Sequence, residues 1–136
     1  MSNREVIHRA LECFADPAQR SRYFDLYAED IVVHGYVGVD PGLESVKQYY
    51  ETFWSAFPDS QVKAEEIVEQ GDRVALRFLI TGTHLGPFLG IAPTGRTVSF
   101  AGMTILRFHD GKCVERWSVT DSISLLVQLG FNPIPN

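Results

Sequence analysis

The chain has 136 residues, a formal net charge of −5 and 45% hydrophobic residues. That length suits one domain rather than two, and the apolar share is enough for a packed core, which excludes disorder as the main state. The Lys and Arg residues, 12 in all, are scattered along an acidic chain; a nucleic-acid partner is excluded, because phosphate binding needs them clustered.

The first predicted element is a helix. Ser2 and Glu5 have the spacing of a capping box, and Val6, Ile7, Ala10, Leu11 and Phe14 follow at helical spacing. Asp16-Pro17 stops that helix and starts a second, expected to run to about residue 28. Residues 31–35 read as a short strand. Asp40-Pro41 repeats the cap-and-proline start, and Leu43, Val46, Tyr50, Phe53 and Phe57 form the apolar face of a third helix, ended by Pro58.

Beyond residue 60 the pattern changes to strand-like. Residues 62–70, 73–84, 97–109 and 112–120 read as four strands. Gly71-Asp72 and Asp110-Gly111 mark tight hairpin turns, while residues 85–96 form a longer connection rich in Gly and Pro. A short closing helix is expected over 121–129, with Gly130 as its C-terminal cap. The class is α+β, one domain over 1–136, with three N-terminal helices packed on a curved antiparallel sheet. A sheet that curls over helices leaves a conical interior, which is a natural pocket.

Cys13 and Cys113 lie far apart and read as reduced, partly buried thiols of a cytoplasmic protein. The N-terminus is too polar for a signal peptide, and no apolar run reaches membrane-spanning length, so no membrane partner is expected. His8, His34, His84 and His109 show no ligand spacing, so no metal is expected. No serine or cysteine sits in a nucleophile motif.

The remaining chemistry rests on a few side chains. Strand alternation puts Asp121 on the face of Trp117 and Val119, where an apolar wall raises a carboxyl's pKa toward the range of acid/base work. The competing role for Asp121 is to cap the closing helix. His84, at a strand end, suits either a proton relay or a loop anchor bonded to backbone. His34 faces either the pocket mouth or the outer surface, depending on register. Tyr36, Tyr49, Tyr50, Phe53, Trp54, Phe88, Met103 and Trp117 are candidate walls for a planar aromatic ligand, with core packing as the alternative for each. Phe88 and Leu89 sit where a lid would. Arg77 points away from Val74, Leu76, Phe78 and Ile80, toward solvent or a subunit interface.

The order of local motifs carries more than any one of them. These are Asp30–His34 with Gly35, Pro41-Gly42-Leu43, Phe57-Pro58-Asp59, Gly71-Asp72-Arg73-Val74-Ala75, Gly82-Thr83-His84, Pro93-Thr94-Gly95, Asp110-Gly111-Lys112, Glu115 with Trp117, Asp121 and Gln128-Leu129-Gly130. In this order they resemble the SnoaL-like polyketide cyclase family, the ester cyclase branch of the NTF2-like superfamily. The resemblance implies an NTF2-like cone-shaped α+β barrel and a cofactor-free, aldol-type intramolecular ring closure. The substrate would be a polycyclic or polyketide-like small molecule, and Asp121 matches the family's acid/base aspartate. It further implies a homodimer or higher homo-oligomer, with Ala75, Leu79 and Thr81 near the interface. Arg116 departs from the pattern, standing where many relatives carry His before the Trp. Alternatives on the same fold are isomerase, dehydratase (using His34, His84 and Tyr36) or hydrolase chemistry, or a non-catalytic dimer that binds a small ligand.

Overall fold

A computed structural model of the chain describes residues 1–132, and its elements follow from where the apolar residues fall. In α1 (Asn3–Ala15), Ile7, Ala10, Cys13 and Phe14 make one buried stripe, the spacing an amphipathic helix requires. Ser2 Oγ accepts a hydrogen bond from Glu5 N–H at 3.1 Å, satisfying a donor that the first turn leaves orphaned.

The second predicted helix is corrected. Asp16 caps a turn, with Ala18 N–H donating to its Oδ1 at 3.0 Å, and a 3₁₀ helix covers only Arg20–Leu26. β1 (Tyr27–His34) then begins four residues earlier than the sequence pattern suggests. Tyr27 is claimed by the sheet, where it pairs with Cys113, and that tertiary contact overrides a weak local preference for continuing the helix. α2 (Leu43–Ala56) starts from Gly42 at φ 110° rather than from Asp40, and buries Val46, Tyr50, Phe53, Trp54 and Ala56.

β2 (Gln61–Gln70), β3 (Arg73–Thr83), β4 (Thr97–His109) and β5 (Lys112–Thr120) form the expected meander. The sheet order is β1-β5-β4-β3-β2. β1 runs parallel to β5 while every other pair is antiparallel, so the sheet is mixed rather than antiparallel. β4 alternates cleanly, with Val98, Phe100, Gly102, Thr104, Leu106 and Phe108 buried and Ala101, Met103 and Ile105 facing out. Register shifts in β1/β5, β2/β3 and β4/β5 bend the strands, and the inner face curls over α1 and α2. α3 (Ser122–Gln128) closes the chain; Gly130 at φ 90° follows it, with Phe131 N–H donating to Leu126 O at 2.9 Å. A glycine just past the last turn allows this wrapped ending.

The connection over residues 84–96 is tied down at its base and turned tightly at its tip. Leu85 and Gly86 donate to Ala56 O at 2.9 and 3.2 Å. A Cβ at Gly86 would overlap the Ser55 carbonyl oxygen. At the tip, Phe88 and Ile91 exchange both backbone bonds, at 3.0 and 2.8 Å, across Leu89 (φ 49°) and Gly90 (φ 77°). Positive φ at both central residues is the hairpin turn that matches strand twist, and a leucine held there costs roughly 1–2 kcal/mol. Among the described residues no helix is long and apolar enough to cross a membrane.

Candidate active site

The concave face of the sheet, α1, α2 and the loop tip enclose a cavity in two compartments. The inner chamber holds about 110 Å³; its apolar walls include Leu11, Phe14, Phe53, Phe78 and Phe100, and its polar walls Tyr36, Tyr50, Arg116, Ser118 and Thr120. An outer vestibule of about 440 Å³ is bounded by residues 37–40, the exposed side of α2 and the loop tip. The two share Gly35, Tyr49, Phe53, Phe88, Leu89, Thr120 and Ser122. Since a cavity of roughly 150 Å³ accepts benzene, the inner chamber has room for about one ring, and a polycyclic ligand would extend into the vestibule. Two glycines allow the close approach of the elements around the cavity. A Cβ at Gly35 would overlap Ser118 O, and one at Gly102 would displace the Phe78 ring.

β5 supplies the polar wall by alternation, with Arg116, Ser118 and Thr120 turned inward. Arg116 is only 7% exposed. Its Nη1 donates to Tyr27 Oη at 2.6 Å, Tyr23 Oη at 3.1 Å and Tyr50 Oη at 3.2 Å, and its Nε donates to Thr104 Oγ1 at 3.0 Å. These partners come from the 3₁₀ helix, β1, α2 and β4, so the guanidinium sits where most of the fold converges. Arg116 takes part in none of the ion pairs among the described residues. Burial opposes its charge, while the negative charge that Tyr27, Tyr36, Tyr50 and Tyr23 would carry once ionised favours it more strongly, so its pKa lies well above the ordinary arginine value and the guanidinium stays charged. Burial pushes the Tyr27 and Tyr50 phenols well above the ordinary tyrosine range, against the pull of Arg116, and Tyr23 moves the same way for the same reason. At neutral pH the cluster is therefore one cation among neutral phenols.

The residues expected from the sequence divide into three groups. Tyr36, Tyr50, Phe53 and Phe88 line the inner chamber, as does Tyr49. Trp54 and His84 are buried behind it. Trp54 packs in the aromatic core against Phe14, Tyr23 and Phe24. His84 is 0% exposed and anchors the loop: Thr94 N–H donates to its Nδ1 at 3.1 Å, and Arg96 O accepts from its backbone N–H at 2.9 Å. His34, Met103, Trp117 and Asp121 lie on or beside the outer face. Trp117 does share a face with Val119, as the alternation requires, but that face is the convex one. There Trp117 stacks on His34 with centroids 5.4 Å apart, and Glu115 bonds His34 at 2.9 Å and Arg107 at 3.0 Å. Those two bonds, His34's first, hold the Glu115 carboxyl below its usual value. Asp121 is exposed and caps α3, accepting from Ser124 N–H at 3.0 Å; it touches the chamber only through its neighbours Thr120 and Ser122.

Sequence reasoning missed the phenol–arginine cluster. The available signal was Arg116 itself, a charged residue two before Ser118 and four before Thr120 on one strand face. What was lacking was the knowledge that this face is the inner one. Among the described residues, the one carboxylate on either compartment's wall is Asp40, in the vestibule. Among the described residues no group of three or more His, Cys, Asp or Glu could hold a metal ion.

Comparison with known proteins places this geometry in a family. The chain is 34% identical to the solved structure of AclR, a candidate hydroxylase from Streptomyces galilaeus, with a TM-score of 0.85 over 98% of this chain and 84% of that one. It is 31% identical to IdmH, a candidate polyketide cyclase from Streptomyces antibioticus, with a TM-score of 0.81 over 96% of this chain and 99% of that one. Over 72 residues, 53% of this chain, it is 37% identical to aklanonic acid methyl ester cyclase AcmA of Streptomyces galilaeus, and the match spans 50% of that relative's length. The profile of the SnoaL-like polyketide cyclases matches residues 5–129, and the chain belongs to that family.

Proposed function

We propose that the chain closes a ring in a polyketide-like, polycyclic small molecule by an intramolecular aldol reaction that needs no cofactor. The observation that supports this is the two-compartment apolar cavity, with room for about one ring inside and more outside, in a chain of this family. A base removes a proton from a carbon α to a carbonyl, and the C–H electron pair becomes an enolate. The enolate carbon attacks a second carbonyl of the same molecule, one C–C bond forms, and the resulting alkoxide takes up a proton. Curved aromatic walls contribute by holding the flexible part of the substrate in a near-attack conformer.

The acid/base role is assigned to Asp121, its cap bond to Ser124 exchanged for the substrate at the chamber rim, and Asp40 is the alternative on the vestibule wall. His84 is given the role of holding the loop tip over the cavity, and His34 a place in the outer-face ion cluster. The test uses aklanonic acid methyl ester, for which AcmA is named, and a panel of polycyclic aromatic ketones. Asn caps a helix as well as Asp, so Asp121→Asn should fold as the parent does while losing roughly 10²–10⁴-fold in turnover. Full activity in that variant would leave Asp121 a cap alone, and Asp40→Asn then becomes the decisive variant. A ring-closed product has the formula of its substrate. Gain of an oxygen atom would instead favour the chemistry for which AclR is named, and no conversion of any compound would leave a binding role.

A homodimer through the convex face is proposed on its composition. Val68, Ala75, Ile105 and Trp117 pair in one row across four strands, and Arg77, Met103 and Val119 in the next. Met103 is 62% and Val119 77% exposed, a contiguous apolar area of the kind that marks an interface. A cytoplasmic setting is supported by Cys13 and Cys113, both free and buried.

A further inference from the structure

The bonding around Arg116 leaves two donors over, and both belong to residues on the chamber wall. Tyr23 and Tyr27 hydroxyls are 2.7 Å apart, Tyr27 Oη–H donates to Tyr50 Oη at 3.3 Å, and the Tyr50 and Tyr36 hydroxyls are 2.8 Å apart. Each phenol has one hydrogen to give. With Tyr27's hydrogen given to Tyr50, Tyr23 must donate to Tyr27, and Tyr50 passes its own to Tyr36. Nη1 shares its two hydrogens among three phenol oxygens, and Tyr50 Oη, already accepting from Arg116 and Tyr27, is the poorer acceptor of its pair with Tyr36. The hydrogen of Tyr36 is the one that no other phenol takes up; Ser118 Oγ–H reaches Tyr36 Oη as a donor, at 3.4 Å. On Arg116, Nε and Nη1 are engaged and Nη2 has no hydrogen-bond partner among the described residues; the guanidinium carbon lies 5.9 Å from the Tyr36 ring centroid. Nη2 is also absent from the enclosed polar atoms that lack partners, which are Trp54 Nε1, Ser60 Oγ and His84 Nε2; it therefore opens onto the chamber that Arg116 lines.

We infer that Tyr36 Oη–H and Arg116 Nη2 form an oxyanion site, and that the inner chamber binds its ligand as an enolate or phenolate. The charge argument is independent of the bond count. A buried cation without an ionised partner costs several kcal/mol, and no carboxylate among the described residues pairs with Arg116. The titratable groups around Arg116 are the phenols of Tyr23, Tyr27, Tyr36, Tyr49 and Tyr50 and the Cys113 thiol; burial raises Tyr23, Tyr27, Tyr49, Tyr50 and Cys113, which keeps them uncharged at pH 7. An anionic ligand supplies the missing partner. The chain of phenols adds to the effect, because each hydroxyl polarised by the guanidinium strengthens the next as a donor, and the last one points at the ligand. Donors fixed before the charge develops stabilise it without reorganising.

This deepens the ring-closure reading, in which the enolate is the intermediate, but its test involves no turnover. The probe is para-nitrophenol, a single ring whose ionised form is read by its absorbance, titrated across pH with and without protein. An apolar cavity alone disfavours a phenolate and raises the probe's pKa on binding; the oxyanion site lowers it. The expected result is saturable binding to the wild type, with the bound probe's ionisation favoured by about tenfold or more. Tyr36→Phe should lose part of that preference, and Arg116→Met should reverse it. Arg116→Gln, checked for folding by circular dichroism, serves if Arg116→Met is unstable. Saturable binding with unchanged or weakened ionisation in the wild type, or no saturable binding of either form, overturns the inference. A lowered probe pKa without any ring-closed product would sink the reaction and leave the site standing; the converse would do the opposite.

Discussion

At the scale of single residues, Arg116 and Leu89 are both held in places that stability alone would not choose. Replacing a buried charged group by an apolar side chain of similar volume is often neutral or stabilising. Arg116→Met should therefore unfold at a temperature no lower than the wild type, although Arg116 makes four hydrogen bonds. A drop of several degrees in a calorimetric scan would show instead that the arginine is there to hold the core. Leu89 presents the complementary case. Asn tolerates positive φ, and Asn-Gly is the favoured pair for this turn, so Leu89→Asn should gain about 1 kcal/mol in denaturant unfolding. It should also bind polycyclic ligands more weakly, because Leu89 lines both compartments.

Parity explains why the site was only half legible from these residues. Alternation along β5 correctly groups Trp117, Val119 and Asp121, and separately Arg116, Ser118 and Thr120. Nothing local says which group looks inward, and a one-residue change of register exchanges them. The aromatic residues of α2 were easier, because a helix that buries Val46, Tyr50 and Phe53 on one stripe must aim it at the sheet.

At the scale of elements, the turns announced themselves, while the edge strand was read with its start four residues too late. Gly71, Asp110 and Gly111 adopt the positive φ values that their hairpins require, so the meander's boundaries were readable within a residue or two. β1 was not, since its partner is β5, some 80 residues away, and a parallel pairing leaves no turn signature between the strands. The junction between these two strands is also the tightest in the site. Gly35 sits at φ 85° against the Ser118 carbonyl, so Gly35→Ala should cost at least about 2 kcal/mol in chemical denaturation. The loss should be larger than for Gly38→Ala, where the backbone is similarly left-handed at φ 77° but open space surrounds the glycine. Equal losses at the two positions would mean that backbone conformation, not the close approach, sets the cost.

The whole molecule should respond to alkali through its phenols. Tyr23, Tyr27 and Tyr50 are raised in the folded state by burial, while in the unfolded chain they titrate near pH ~10. Between those values the folded form holds more protons, so stability is fully present below about pH 10 and falls as pH rises toward the folded values. Urea midpoints measured from neutral to strongly alkaline pH should stay level and then decline, and phenolate absorbance of these groups should appear together with unfolding. Association belongs to the same scale. Met103→Glu should shift light-scattering mass from dimer to monomer without altering para-nitrophenol binding, because the convex face and the chamber lie on opposite sides of the sheet.

The bonds that gather three tyrosines around one arginine join residues 93, 89 and 66 positions apart in the chain. Until the last strand docks beside the first, Tyr23, Tyr27 and Tyr50 have no cation to surround, and the chamber lacks its polar wall. On a ribosome that wait lasts for nearly all of synthesis, and in a refolding tube it places the closing of the β1–β5 seam among the high-contact-order events that set slow rates. Competence to bind an anion should thus return in step with the slowest folding phase, with no binding-competent intermediate before it.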